Sequence, residues 1–119
     1  MTILDDVTTW VPVAPLDRLV VDRGVGAMVG PWQVAVFRVA GDDVYALSNF
    51  DPFSQAYVLS RGIVGTKGDV LKVASPVYKQ SFDLRTGACL DDPAVAVRVF
   101  PVRVVEGVVE VGVPPSDGS

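Results

Sequence analysis

The chain has 119 residues, enough for one domain with one hydrophobic core. Half of them are hydrophobic, valine foremost, and eleven glycines and nine prolines add many turns, a mix that favours strands over helices. Ten basic residues, spread along the chain, against fourteen acidic ones leave a net charge of −4, which argues against a nucleic-acid partner, and no apolar run approaches the roughly 20 residues of a bilayer span.

In chain order, MTILDDVTTW carries acids where a secretory leader would place basic residues before an apolar run, so the expected location is cytoplasmic. TWVPVAPL reads as a first strand ending at Pro15. GVGAMVG, from Gly24 to Gly30, lacks the spacing of a nucleotide loop and precedes no helix that could hold a phosphate; a hairpin turn is expected there. QVAVFRV then alternates, with Gln33, Ala35, Phe37 and Val39 on one face and Val34, Val36 and Arg38 on the other. Both faces are apolar enough for a strand packed inside a small sandwich or barrel. Gly41-Asp42 supplies the turn into DVYALSNF, forming a hairpin.

From Asp51 to Asp69 the pattern loosens into an irregular excursion with a short helical turn around Ala56–Leu59. VLKVAS resumes β character, SPVYKQ interrupts it, and Arg85-Thr86-Gly87 marks a hairpin tip. AVAVRVFPVRVVEGVVEVGV closes the domain, with Glu106-Gly107 as its last turn. The expectation is one all-β domain over residues 1–113, an antiparallel sandwich or barrel from which two loops project, then a disordered tail at 114–119.

Histidine is absent, and Cys89 is the only cysteine. Every Ser–His, Cys–His or His–metal constellation is thereby excluded within this chain, and no intrachain disulfide is available, as suits a reducing compartment. Cys89 is expected to pack as a small buried hydrophobe. Asp5-Asp6 and Asp91-Asp92 read as solvated turns.

SPVYKQSFDLRTGACLDDP, followed by VRVFPVRVVEGVVEV, resembles the second half of a Rieske domain. There the pattern runs Cys-Pro-x-His-Gly-x-x-Phe-Asp, then a Thr-Gly turn, a Leu-x-x-Pro stretch and two closing strands. Ser75 stands at the cysteine, Pro76 matches, Tyr78 stands at the histidine and Lys79 replaces the glycine; Phe82, Asp83, Thr86, Gly87, Leu90 and Pro93 fall in register. Upstream, ALSNFDP resembles the first loop, Cys-x-His, with Asn49 and Asp51 at the ligand positions. The likeness covers roughly residues 8 to 113. A Rieske [2Fe–2S] centre takes two thiolates on one iron and two imidazoles on the other. Asn49, Asp51, Ser75 and Tyr78 supply none of these, and Cys89 offers one ligand at most, so no cofactor is expected in this chain.

ALSNFDPFS, LSRGIVG and SPVYKQ resemble one branch of that superfamily, the small subunit of cytoplasmic assimilatory NAD(P)H-dependent nitrite reductase. The resemblance implies a Rieske-like fold, no catalytic residue in this chain, and a large-subunit partner carrying FAD, siroheme and an iron–sulfur cluster, where nitrite becomes ammonium. A free-standing module using the emptied cluster pocket for a small ligand is the alternative. For Asn49, Asp51, Ser75 and Tyr78 two roles stay open, loop stabilisation and partner contact. Phe50, Phe53, Arg61, Tyr78 and Lys79 are the candidate interface, because aromatics beside basic residues suit the centre of one; the aromatics would otherwise plug the gap between the loops.

Overall fold

A computed structural model describes residues 9–114. Twelve short strands carry them: β1 (Thr9–Pro15), β2 (Arg23–Val29), β3 (Trp32–Val39), β4 (Asp43–Ser48), β5 (Phe50–Asp51) and β6 (Ala56–Tyr57), then β7 (Ile63–Lys67), β8 (Val70–Ala74), β9 (Ser81–Asp83), β10 (Val99–Phe100), β11 (Val102–Val105) and β12 (Val108–Val113). The only helical pieces among the described residues are two single 3-10 turns, Leu16–Arg18 and Leu59–Arg61. Asp5-Asp6 and the expected tail from Pro115 onward lie outside the described residues.

The strands form antiparallel sheets in the orders β1-β12-β11, β10-β4-β3-β2, β5-β6 and β7-β8-β9. The period-2 alternation of β3 explains how they stack. Val34 and Val36 point into a core with Val29, Ala46, Phe100, Val109 and Val111, shared with the β1-β12-β11 sheet. Ala35, Phe37 and Val39 point the opposite way, into a core with Leu47, Leu59, Val73, Phe82, Leu84 and Cys89. The sheet containing β3 is therefore a middle layer, and the expected sandwich is present with a second layer of short strands on its far side. Each side chain of Val or Leu size buried in this way contributes roughly 1.5–3 kcal/mol.

Two local expectations are corrected. Gly24–Gly30 is not a hairpin turn: residues 23–29 form β2 in full register with β3, and the turn falls at Gly30-Pro31. A Cβ on Gly24 would sit 2.5 Å from the Phe37 ring and 2.7 Å from the Ser60 carbonyl oxygen, so this glycine serves a close approach between β2 and the Leu59–Arg61 turn. The helical turn lies at Leu59–Arg61 rather than Ala56–Leu59, because Ala56 and Tyr57 pair with Asp51 and Phe50. The turns at Gly41-Asp42 and Glu106-Gly107 stand where expected, with positive φ at Gly41, Glu106 and Gly107.

Candidate functional site at the two loops

The first loop leaves β4 at Ser48 and returns at Val58; the second spans residues 75–80 between β8 and β9. In the first, Asp51 builds the turn: its Oδ1 accepts from the Phe53 amide at 2.9 Å, and its carbonyl accepts from the Gln55 amide at 2.7 Å. Phe50 and Tyr57, opposite one another in the β5-β6 ladder, meet edge to face with centroids 5.1 Å apart. In the second loop the Ser75 carbonyl accepts from the Lys79 amide at 3.1 Å and the Ser75 hydroxyl accepts from the Val77 amide at 3.3 Å. Lys79 closes this turn with φ +66°, a left-handed conformation at the position where the Rieske pattern has glycine.

The two loops are joined by one carboxylate. Oδ2 of Asp51 accepts from the Ser75 hydroxyl at 2.5 Å and from the Ser54 hydroxyl at 2.8 Å. Asp51 and Ser75 are both buried, and no Lys or Arg forms an ion pair with this carboxylate among the described residues. Burial pushes the Asp51 carboxyl up. Hydrogen bonds from the Ser75 hydroxyl, the Phe53 amide and Ser54 outweigh that and hold it below the ordinary carboxylate value. Asp51 thus stays charged while buried, held by donors rather than by a cation.

Asn49 is also buried but serves a different junction. Its Oδ1 accepts from the Ser60 amide at 2.7 Å and its Nδ2 donates to the Tyr57 carbonyl at 3.3 Å, pinning the Leu59–Arg61 turn to the first loop. Tyr78 is 61% exposed at the tip of the second loop. Of the four ligand-position residues, the structure brings together only Asp51 and Ser75. This set does not fit a Rieske cluster: it contains no thiolate or imidazole, and the space between Asp51 and Ser75 is closed by their own hydrogen bond. Cys89 is buried in the core, bridged to Phe82, and takes no part in the loops.

Among the interface candidates, Arg61, Tyr78 and Lys79 are exposed and Phe50 is half-buried. Phe53 turns inward, its ring 6.2 Å from that of Phe82, and plugs the gap between loop and core. Two contributors, Ser54 and Val77, escape the sequence reading, whereas Tyr57 belongs to the aromatics it placed at the loops. Ser54 was signalled by its Asp-x-x-Ser spacing from Asp51. Tyr57 and Val77, 54% and 46% exposed, add apolar surface at the loops.

A family model for the Rieske-like [2Fe–2S] domain matches residues 9–112. The nitrite reductase (NADH) small subunit of Escherichia coli K12 is 41% identical over 102 residues, covering 85% of this chain and 94% of that protein. A stretch of the Klebsiella oxytoca nitrite reductase [NAD(P)H] large subunit is 47% identical over 103 residues; it is 87% of this chain and only 11% of that protein. A Mycobacterium tuberculosis crystal structure, solved as a candidate NADH-dependent nitrite reductase small subunit, superposes with a TM-score of 0.89 at 45% identity, covering 93% of this chain and all of the other. The chain belongs to the Rieske-like [2Fe–2S] domain family, among its nitrite reductase small subunits.

Proposed function

We propose that this chain is the non-catalytic small subunit of a cytoplasmic NAD(P)H-dependent nitrite reductase, which converts nitrite to ammonium in nitrate assimilation. It acts by docking its two-loop end on a large subunit that carries FAD, siroheme and an iron–sulfur cluster. The carrying observation is the Asp51–Ser75 bond: two oxygen-bearing side chains lock the loops together where the Rieske pattern has metal ligands. What the loops then offer is shape and surface, with Tyr57, Val77, Tyr78, Lys79 and Arg61 exposed, Phe50 half-buried among them and Phe53 supporting them from beneath. The matching stretch inside the Klebsiella large subunit supports a role beside such a subunit, since there both parts share one polypeptide. The alternative of an emptied ligand pocket gains nothing from Asp51 and Ser75, whose side chains meet directly.

Co-expression with a siroheme-containing large subunit tests the reading. The wild-type chain is expected to co-purify in fixed ratio, and Tyr78→Ala with Lys79→Glu to weaken that association while circular dichroism stays unchanged. A wild-type chain that never associates overturns it. Anaerobic reconstitution with iron and sulfide is expected to leave the isolated chain without a Rieske-type electron paramagnetic resonance signal; such a signal would refute a cluster-free subunit.

A further inference from the structure

Five of the seven arginines divide into two groups. Arg38 and Arg103 are engaged by Asp42 and Glu110, and Arg98 lies 4.8 Å from the centre of the Trp32 ring. Arg23 and Arg61 make no side-chain hydrogen bond or ion pair among the described residues, yet both line one cleft of about 420 Å³ with Ser60, Ile63 and Val64. They come from separate elements, the start of β2 and the Leu59–Arg61 turn, which the clash at Gly24 shows to be packed as closely as backbone allows.

The same cleft reaches the start of β7, an outer strand of its sheet, at Ile63 and Val64. No backbone hydrogen bond from another element reaches residues 63–67 among the described residues, apart from the β8 ladder. A second cleft of about 260 Å³, lined by Ala40, Gly65 and Thr66, meets the first at Asp22 and Val64. Ile63, at the arginine end of β7, is 74% exposed, more than any other large hydrophobic side chain among the described residues. An outer strand is a template for pairing, and proteins usually blunt it with charge. Here Lys67 does so at one end, while an isoleucine is bared at the other.

We propose that an extended acidic segment of the large subunit adds to β7 as a further strand, resting on the small-subunit reading above. Its main chain pairs with the open side of residues 63–67, and one acidic side chain is held by the Arg23 and Arg61 guanidinium groups. A neighbouring apolar side chain covers Ile63. Main-chain bonds supply affinity in such strand addition, and the two forked cations supply the selection for a carboxylate. Asp22, where the clefts meet, repels a second acid further along and so confines the occupant's charge to the arginine end.

Hydrogen exchange on the assembled complex tests this without any substitution: amides in residues 63–67 exchange more slowly in the complex than in the free chain. Arg23→Glu with Arg61→Glu weakens binding by roughly tenfold or more, and the loss shrinks as salt is raised. Both side chains are exposed and have no hydrogen-bond or ion-pair partner among the described residues, so circular dichroism of this double variant remains that of the wild type. A complex whose 63–67 exchange equals that of the free chain, with affinity untouched by charge reversal, overturns strand addition while leaving the small-subunit reading intact. Protection of residues 63–67 in the chain alone at high concentration also overturns it, in favour of self-pairing. If the wild-type chain forms no complex at all, the small-subunit reading fails and this inference with it.

Discussion

The Ser75 hydroxyl and Oδ2 of Asp51 lie 2.5 Å apart, although 24 residues of chain separate them. Among the described residues no other hydrogen bond joins the two loops to which they belong. A buried carboxylate that gathers two hydroxyls and an amide as donors is favoured in its charged form.

This makes the fold acid-sensitive in a defined direction. The Asp51 carboxyl is lowered in the folded chain, so its contribution is fully present above the unfolded value of about 3.9 and is lost as pH falls through the folded one. Denaturant melts of the wild type and Asp51→Asn between pH 7 and pH 2.5 are expected to differ most at neutral pH and to converge on acidification. A gap that stays constant would remove Asp51 from the acid limb.

Ser75→Ala takes one donor from a buried charge and is expected to cost about 1.5–3 kcal/mol in thermal or denaturant unfolding. Asn49→Ala takes the Oδ1 acceptor from the half-buried Ser60 amide, at about 1 kcal/mol. The two losses differ in place. Hydrogen exchange should rise at residues 75–80 in the first variant and around Ser60 in the second.

Lys79 holds a left-handed backbone with a side chain attached. Lys79→Gly is expected to raise stability by up to about 1 kcal/mol, while Lys79→Val lowers it. Because the same substitution removes an exposed cation from the proposed docking end, Lys79→Gly should bind the large subunit less tightly even as it melts later. Stability and association moving together would contradict the assignment.

Phe53 and Tyr78 separate plug from contact. Phe53→Ala is expected to lose about 3 kcal/mol, since its ring packs on Phe82 and the core. Tyr78→Ala should leave the unfolding midpoint within about 0.5 kcal/mol of wild type, its ring being mostly exposed, and act on association alone.

Much of this architecture was legible in the residues, and the exceptions share a cause. The alternation in residues 33–39 announces a strand buried on both faces, and the two cores divide along that alternation. Gly41-Asp42 and Glu106-Gly107 are local turn chemistry and read correctly. Gly24 misleads because its reason lies in the Phe37 ring and the Ser60 carbonyl, which no local pattern reveals. At the site, the Rieske-like spacing singled out positions 49, 51, 75 and 78, and chemistry alone left open which would meet. That Asp51 takes Ser75 while Asn49 takes the Ser60 amide depends on how the loops cross, a tertiary fact.

β3 is a party wall. With Val34 and Val36 leaning one way and Ala35, Phe37 and Val39 the other, neither room can lose it and stand. The molecule consequently has no half-melted refuge: damage on the loop side reaches the far sheet through the same eight-residue strand, and calorimetry should register one transition whose van't Hoff and measured enthalpies agree.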